Sequence, residues 1–169
     1  MKKRLASYFL SLVLALSLLP MNVLAGEGDP VDLSSTETST FTENCTLTGT
    51  VDRQIILDGT SAPITITLRD VNVHGNNASY DMTSGIKVQG QVTLLLEGAS
   101  TVTGGDGSRT GCAAIEVEPD ATLTIEGPGT LTALAGAGKQ DVTGSQKYTK
   151  WARGGDAIGG NGKETNGPT

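Results

Sequence analysis

From Cys45 onward, apolar residues recur at every second position in short runs, such as Ile64-x-Ile66-x-Leu68, Ile86-x-Val88 and Leu94-x-Leu96. A period of two sends alternate side chains to opposite faces of an extended chain, so each run reads as a strand with one buried face. Gly, Pro or Asp cuts each run after a few residues, and these are the residue types that turn a chain. Apolar positions at helical spacing do not persist through any stretch long enough for a helix. The pattern predicts an all-β chain of short strands and turns.

The strands also repeat. Setting Ile86 over Ile115 brings Val88 over Val117, Thr93 over Thr122, Leu94 over Leu123, Glu97 over Glu126 and Thr101 over Thr130, at one offset of 29 (115 − 86). An earlier copy, "ITITLRDVNVHG" at 64–75, fits at an offset of 28 (94 − 66) and sets Arg69 above Glu97. A later copy starts at "GGDAIGG", with Ala157-Ile158 in the place of Ala114-Ile115 behind an inserted loop. A period of this size marks stacked supersecondary units. Several short strands per period match one coil of a parallel β-helix, whose equivalent strands pair about 4.8 Å apart from coil to coil. An antiparallel sandwich also uses short strands, but nothing in it demands like residues at one fixed offset. The predicted fold is an all-β solenoid, a parallel β-helix of few coils, over residues 45–169. "GGDAIGGNGKETNGPT" opens a coil without strands to finish it, so the sequence reads as a fragment.

Residues 1–25 stand apart from this pattern. "MKKR", an apolar run ending before Pro20, and Val23-Leu24-Ala25 at a small-x-small site predict an export signal cleaved after Ala25. The run is shorter than the about 20 residues that span a bilayer. The expected protein is secreted or on the cell surface, without a membrane span after cleavage. Residues 26–44 are polar and rich in Ser and Thr, and read as a linker or a loosely held first strand.

Charge narrows the partners. Losing Lys2, Lys3 and Arg4 leaves 9 (12 − 3) basic residues against 18 acidic ones. A surface of that sign repels phosphate backbones and excludes nucleic acid as a partner. Cys45 and Cys112 either join as a disulfide in an oxidising setting or pack as two small thiols. Neither belongs to a CxxC or Cys/His cluster. The single His74 has no catalytic partner in the sequence and reads as a turn residue.

"SGIKVQGQVTLLLEG", "AAIEVEPDATLTIEGPGTLTA" and "GGDAIGG", together with the export signal, resemble the secreted β-helical proteins of anaerobic Gram-positive bacteria described as carbohydrate-binding domains. The resemblance runs over roughly residues 45–162 and rests on the style of the repeat. It implies a right-handed parallel β-helix of the pectate-lyase-like kind, outside the cell, binding plant or host polysaccharide. It implies no cofactor beyond the calcium that some such proteins bind, and no calcium motif matches here residue by residue.

Candidate chemistry falls in two places. Arg69, Glu97 and Glu126 occupy equivalent positions in three copies and should form a vertical charge ladder. Two glutamates one coil apart stand near the about 5 Å separation of a retaining glycosidase pair, and could also hold calcium. Exposed strand ends lack the burial that perturbs carboxylates, so a solvated ladder in which Arg69 relieves repulsion is the plainer reading. Glu116, Glu118 and Asp120 make a second acidic patch.

Flat aromatic rings stack on sugar faces, and Tyr148 and Trp151 fall together in "SQKYTKWAR" with Lys150 and Arg153. This basic, aromatic cluster in the inserted loop is the first choice for ligand contact. The rival role for Trp151 is to fold back over the apolar column. The favoured function is a non-catalytic polysaccharide-binding or adhesin-like module. The alternatives are a β-helical polysaccharide lyase or glycoside hydrolase, and a structural surface stalk.

Overall fold

The computed structural model describes residues 29–77, 83–107, 110–138 and 155–159. Its strands are β1 (Val31–Asp32), β2 (Thr40–Phe41), β3 (Cys45–Val51), β4 (Ile55–His74), β5 (Ile86–Glu97), β6 (Ala99–Thr103), β7 (Ile115–Val117), β8 (Thr122–Glu126), β9 (Thr130–Leu134) and β10 (Ile158–Gly159). The described residues contain no helix. All ten strands belong to one open sheet, in which every pairing is parallel.

Register divides the sheet into three stacks. In the first, Ile55, Ile86, Ile115 and Ile158 lie over one another. In the second the column is Cys45, Ile66, Leu94 and Ile125. In the third it is Val51, Val73, Val102 and Ala133. Inward residues of all three stacks meet in one apolar cluster, where Ile55, Ile66, Val73, Ile86, Val88, Leu94, Val102 and Ile115 are fully buried. Burying each such side chain contributes roughly 1.5–3 kcal/mol. Ser84 and Ser100 are polar and buried, and Ser100 Oγ accepts a hydrogen bond from the Val71 amide at 3.1 Å.

The repeat pairs as expected in the first stack, where Ile86 sits on Ile115 and Val88 on Val117. It does not hold one offset further along. Leu94 pairs with Ile125, not Leu123, and Thr93 with Thr124, not Thr122, an offset of 31 (125 − 94). The third stack follows at 31 (132 − 101), pairing Thr101 with Thr132. The cause is the turn Glu118-Pro119-Asp120-Ala121, closed by a hydrogen bond from Ala121 N to Glu118 O at 2.9 Å. It makes the passage from Val117 to Thr122 two residues longer than that from Val88 to Gln91. A shift of two keeps every side chain on its own face, so the alternation in the sequence is blind to it.

Two corners explain particular residues. Gly90 has φ +66° and lies against Gly59, its partner in the first stack, where an added Cβ would strike the Gly59 backbone. At the corner leading from the third stack to the first, Gly155 N bonds Gly136 O, Gly136 N bonds Cys112 O, Cys112 N bonds Gly105 O, and Gly105 N bonds Thr83 O. These contacts measure 2.9–3.2 Å. They bring backbones so close that a Cβ on Gly136 would fall on the Gly105 carbonyl. Asx side chains climb the same corner: Asn77 Oδ1 accepts from Asp106 N, and Asp106 Oδ1 accepts from Ala137 N, both at 2.8 Å.

Residues 29–44 do more than link. β1 and β2 extend the second and first stacks, and Leu33 and Phe41 are buried against the apolar column. Arg53 ties the segment down through Nη2 to the Thr36 carbonyl at 2.5 Å and Nε to Ser39 Oγ at 3.1 Å. Two isolated apolar residues give no period to read, yet they close one end of the core.

Candidate functional site

Pairing in the first stack sets its outward side chains in rows. Ile56, Lys87 and Glu116 follow one another in register, with Asp58 beside Gln89 in the next row. Glu118 continues past β7 by donating its amide to Val88 O at 3.1 Å, which brings its side chain level with this surface. Its Oε1 accepts from Lys87 Nζ at 2.8 Å and from Gln89 Nε2 at 2.9 Å. The Lys87 contact, then that of Gln89, holds the Glu118 carboxyl below its ordinary range. Reciprocally, the hydrogen bond to Glu118 raises the Lys87 ammonium. Alongside, fully buried Ser84 donates to Glu116 Oε2 at 3.1 Å and accepts from Gln54 Nε2 at 2.6 Å.

This surface is a patch of positioned hydrogen-bonding groups around a half-exposed ion pair. A carboxyl held down, like that of Glu118, stays ionised at neutral pH and is the opposite of a general acid, whose affinity for its proton must be raised. The patch was partly legible, because the offset that sets Ile86 over Ile115 also sets Lys87 over Glu116. Gln54 and Ser84 were not, since both belong to the approach to a strand and carry no periodic signal.

The predicted charge ladder loses a rung. Arg69 pairs in register with Glu97, and Arg69 Nε meets Glu97 Oε2 at 2.7 Å. Glu126 stands opposite Leu95, displaced by the two-residue turn, so the two glutamates are not register neighbours. His74 ends β4, exposed, with Nδ1 3.4 Å from Asp52 Oδ1, a partner the sequence did not reveal. Cys45 and Cys112 are free thiols: Cys45 lies in the second stack, and Cys112 in the corner before the first. Burial pushes both thiols up.

Tyr148, Lys150, Trp151 and Arg153 lie outside the described residues. The residues that follow their segment are placed: Gly155 N donates to Gly136 O at 3.2 Å, and the Asp156 and Ala157 carbonyls accept from Ala114 N and Ile115 N. Ala157, in the described residues that follow, is thus bonded to Ile115, one residue from Glu116, whereas Gly138, before the segment, is bridged to Gly107. Ile158 sits on Ile115 at an offset of 43 (158 − 115), which confirms the long insertion before this copy.

Among the described residues no three His, Cys, Asp or Glu side chains are grouped to hold a metal ion, and no helix is long and apolar enough to cross a membrane. Comparison with family models, with curated proteins and with solved structures found no match.

Proposed function

We propose that the chain is a right-handed parallel β-helix that serves outside the cell as a non-catalytic polysaccharide-binding or adhesin-like module. The observation that carries this reading is the patch of Lys87, Gln89, Glu116 and Glu118, which offers donors and acceptors held in place by parallel strands. Sugar hydroxyls both donate and accept, and side chains already fixed by one another lose little freedom when a ligand arrives. In this reading Tyr148 and Trp151 stack on sugar rings while Lys150 and Arg153 meet polar substituents. The amino-terminal export signal supports action outside the cell.

The test is binding of the mature chain to a glycan array and to insoluble polysaccharides. Trp151→Ala with Tyr148→Ala, and separately Lys87→Ala, should each weaken capture by at least about tenfold while the far-ultraviolet spectrum is unchanged. Undiminished capture by both variants would remove the site. New reducing ends or unsaturated sugar products would replace the module with an enzyme. Failure to bind any glycan would favour the stalk.

A further inference from the structure

The two buried serines use their hydroxyls differently. Ser100 Oγ accepts from the Val71 amide and so satisfies the main chain. Ser84 Oγ stands between two side chains instead: it accepts from Gln54 Nε2 at 2.6 Å and donates to Glu116 Oε2 at 3.1 Å. Gln54 Nε2 also donates to the Ser84 carbonyl at 3.3 Å, which fixes the amide that feeds the hydroxyl. With Gln54 as donor, the single hydrogen of the Ser84 hydroxyl is directed at the carboxylate. Packing does not call for that hydroxyl. Two residues ahead of the register pair Ile86 and Ile115 stand Ser84 (86 − 2) and Ala113 (115 − 2), and both are fully buried. Alanine fills the place ahead of β7, so the equivalent place ahead of β5 needs no more than a methyl group. The row that holds Glu116 runs Ile56, Lys87, Glu116, Gly159. Among the described residues, this row therefore puts no side chain on the flank of Glu116 away from Lys87.

We propose that Gln54 and Ser84 are positioning residues that hold the Glu116 carboxylate as the acceptor for a hydroxyl of a neutral sugar. This rests on the polysaccharide-binding reading of the patch. Ser84 is fully buried and meets no ligand itself, so it acts through Glu116. A hydrogen bond to one carboxylate oxygen fixes the glutamate side chain before a ligand arrives, which lowers the ordering cost of binding. Bonds that end on a carboxylate are charge-assisted and strong, and the carboxylate then offers its lone pairs to a hydroxyl donor while it repels an anionic group.

Capture of the mature chain by insoluble cellulose, xylan and mannan tests this, with Ser84→Ala, Glu116→Gln and the double variant compared on the same polysaccharide. Ser84→Ala should weaken capture by about threefold to tenfold, and its melting temperature should stay close to that of the wild type, because Ala113 shows that the place accepts alanine. The double variant should bind no more weakly than Glu116→Gln alone, a coupling that a merely structural serine would not show. Gln54→Met, at a half-buried position, keeps the test independent of the core. It should weaken capture in the wild-type background and leave Glu116→Gln unchanged. Losses that add in the double variant, or full capture by both Ser84→Ala and Gln54→Met, would overturn the proposal and leave the binding reading in place. So would a wild-type chain that captures polygalacturonate but none of the three neutral polysaccharides. A chain that captures neither kind would overturn the binding reading as well.

Discussion

At the residue scale, much of the polar chemistry consists of carboxylates that fasten backbone. Asp32 accepts from Ser34 Oγ at 2.6 Å and Ser34 N at 2.9 Å, and Asp58 accepts from Thr60 Oγ1 at 2.6 Å and Thr60 N at 3.0 Å. These bonds, the hydroxyl first, lower both carboxyls from the ordinary 3.8. Lys87 and Gln89 lower Glu118 from 4.5. A group whose folded affinity for protons is depressed stabilises the fold above its unfolded value, and that contribution is lost as pH falls through the folded value. Lys87 works in the other direction: raised from 10.5, it stabilises below that value, and the contribution is lost as pH climbs past the folded one. The melting temperature should therefore hold level through neutral pH and drop below about pH 4, where three carboxylates act together. Asp58→Asn should make the acid drop shallower in a thermal melt series. An unchanged acid slope would show that the Thr60 contact carries none of it.

At the element scale, position along a column decides the worth of a side chain. Leu94 and Ile125 are register neighbours with similar volume, but Leu94 is fully buried and Ile125 is 38% exposed. Leu94→Ala should cost about 2–5 kcal/mol in denaturant unfolding. Ile125→Ala should cost less than about half of that, because part of its surface already meets water. Equal losses would mean that the column does not open at Ile125. The column itself was legible in Ile86-x-Val88 and Ile115-x-Val117, where alternation and offset agree. The displacement of Glu126 was not, since the Glu118–Ala121 turn adds an even number of residues and leaves the pattern intact.

At the scale of the whole molecule, each strand is held by the parallel strands beside it, so protection should follow the number of those neighbours. Among the described residues, β4 and β5 pair along both edges, whereas β8, β9 and β10 pair along one. Amide hydrogen exchange should be slowest in Ile64–Leu68 and Val92–Leu96 and fastest in β8 to β10. Uniform protection from β4 to β10 would contradict a neighbour-by-neighbour assembly. The closed amino-terminal end, the open end at Ile125 and the hydrogen-bonding patch on the first stack all follow from that one stacking arrangement.

Composition and a period of two determined that the chain is built of strands and which residues face inward, because these are properties of one residue and its near neighbours, and the recurrence of the pattern about every 29 residues marked it as repeated. Tertiary structure alone decided that Glu118 meets Lys87 and that Glu126 stands opposite Leu95, while Glu97 keeps the Arg69 partner that the offset had set above it. Those pairings depend on the lengths of the turns between successive strands. The two extra residues at the Glu118–Ala121 turn change the partners of β8 and β9 while leaving the hydrophobic pattern as it was.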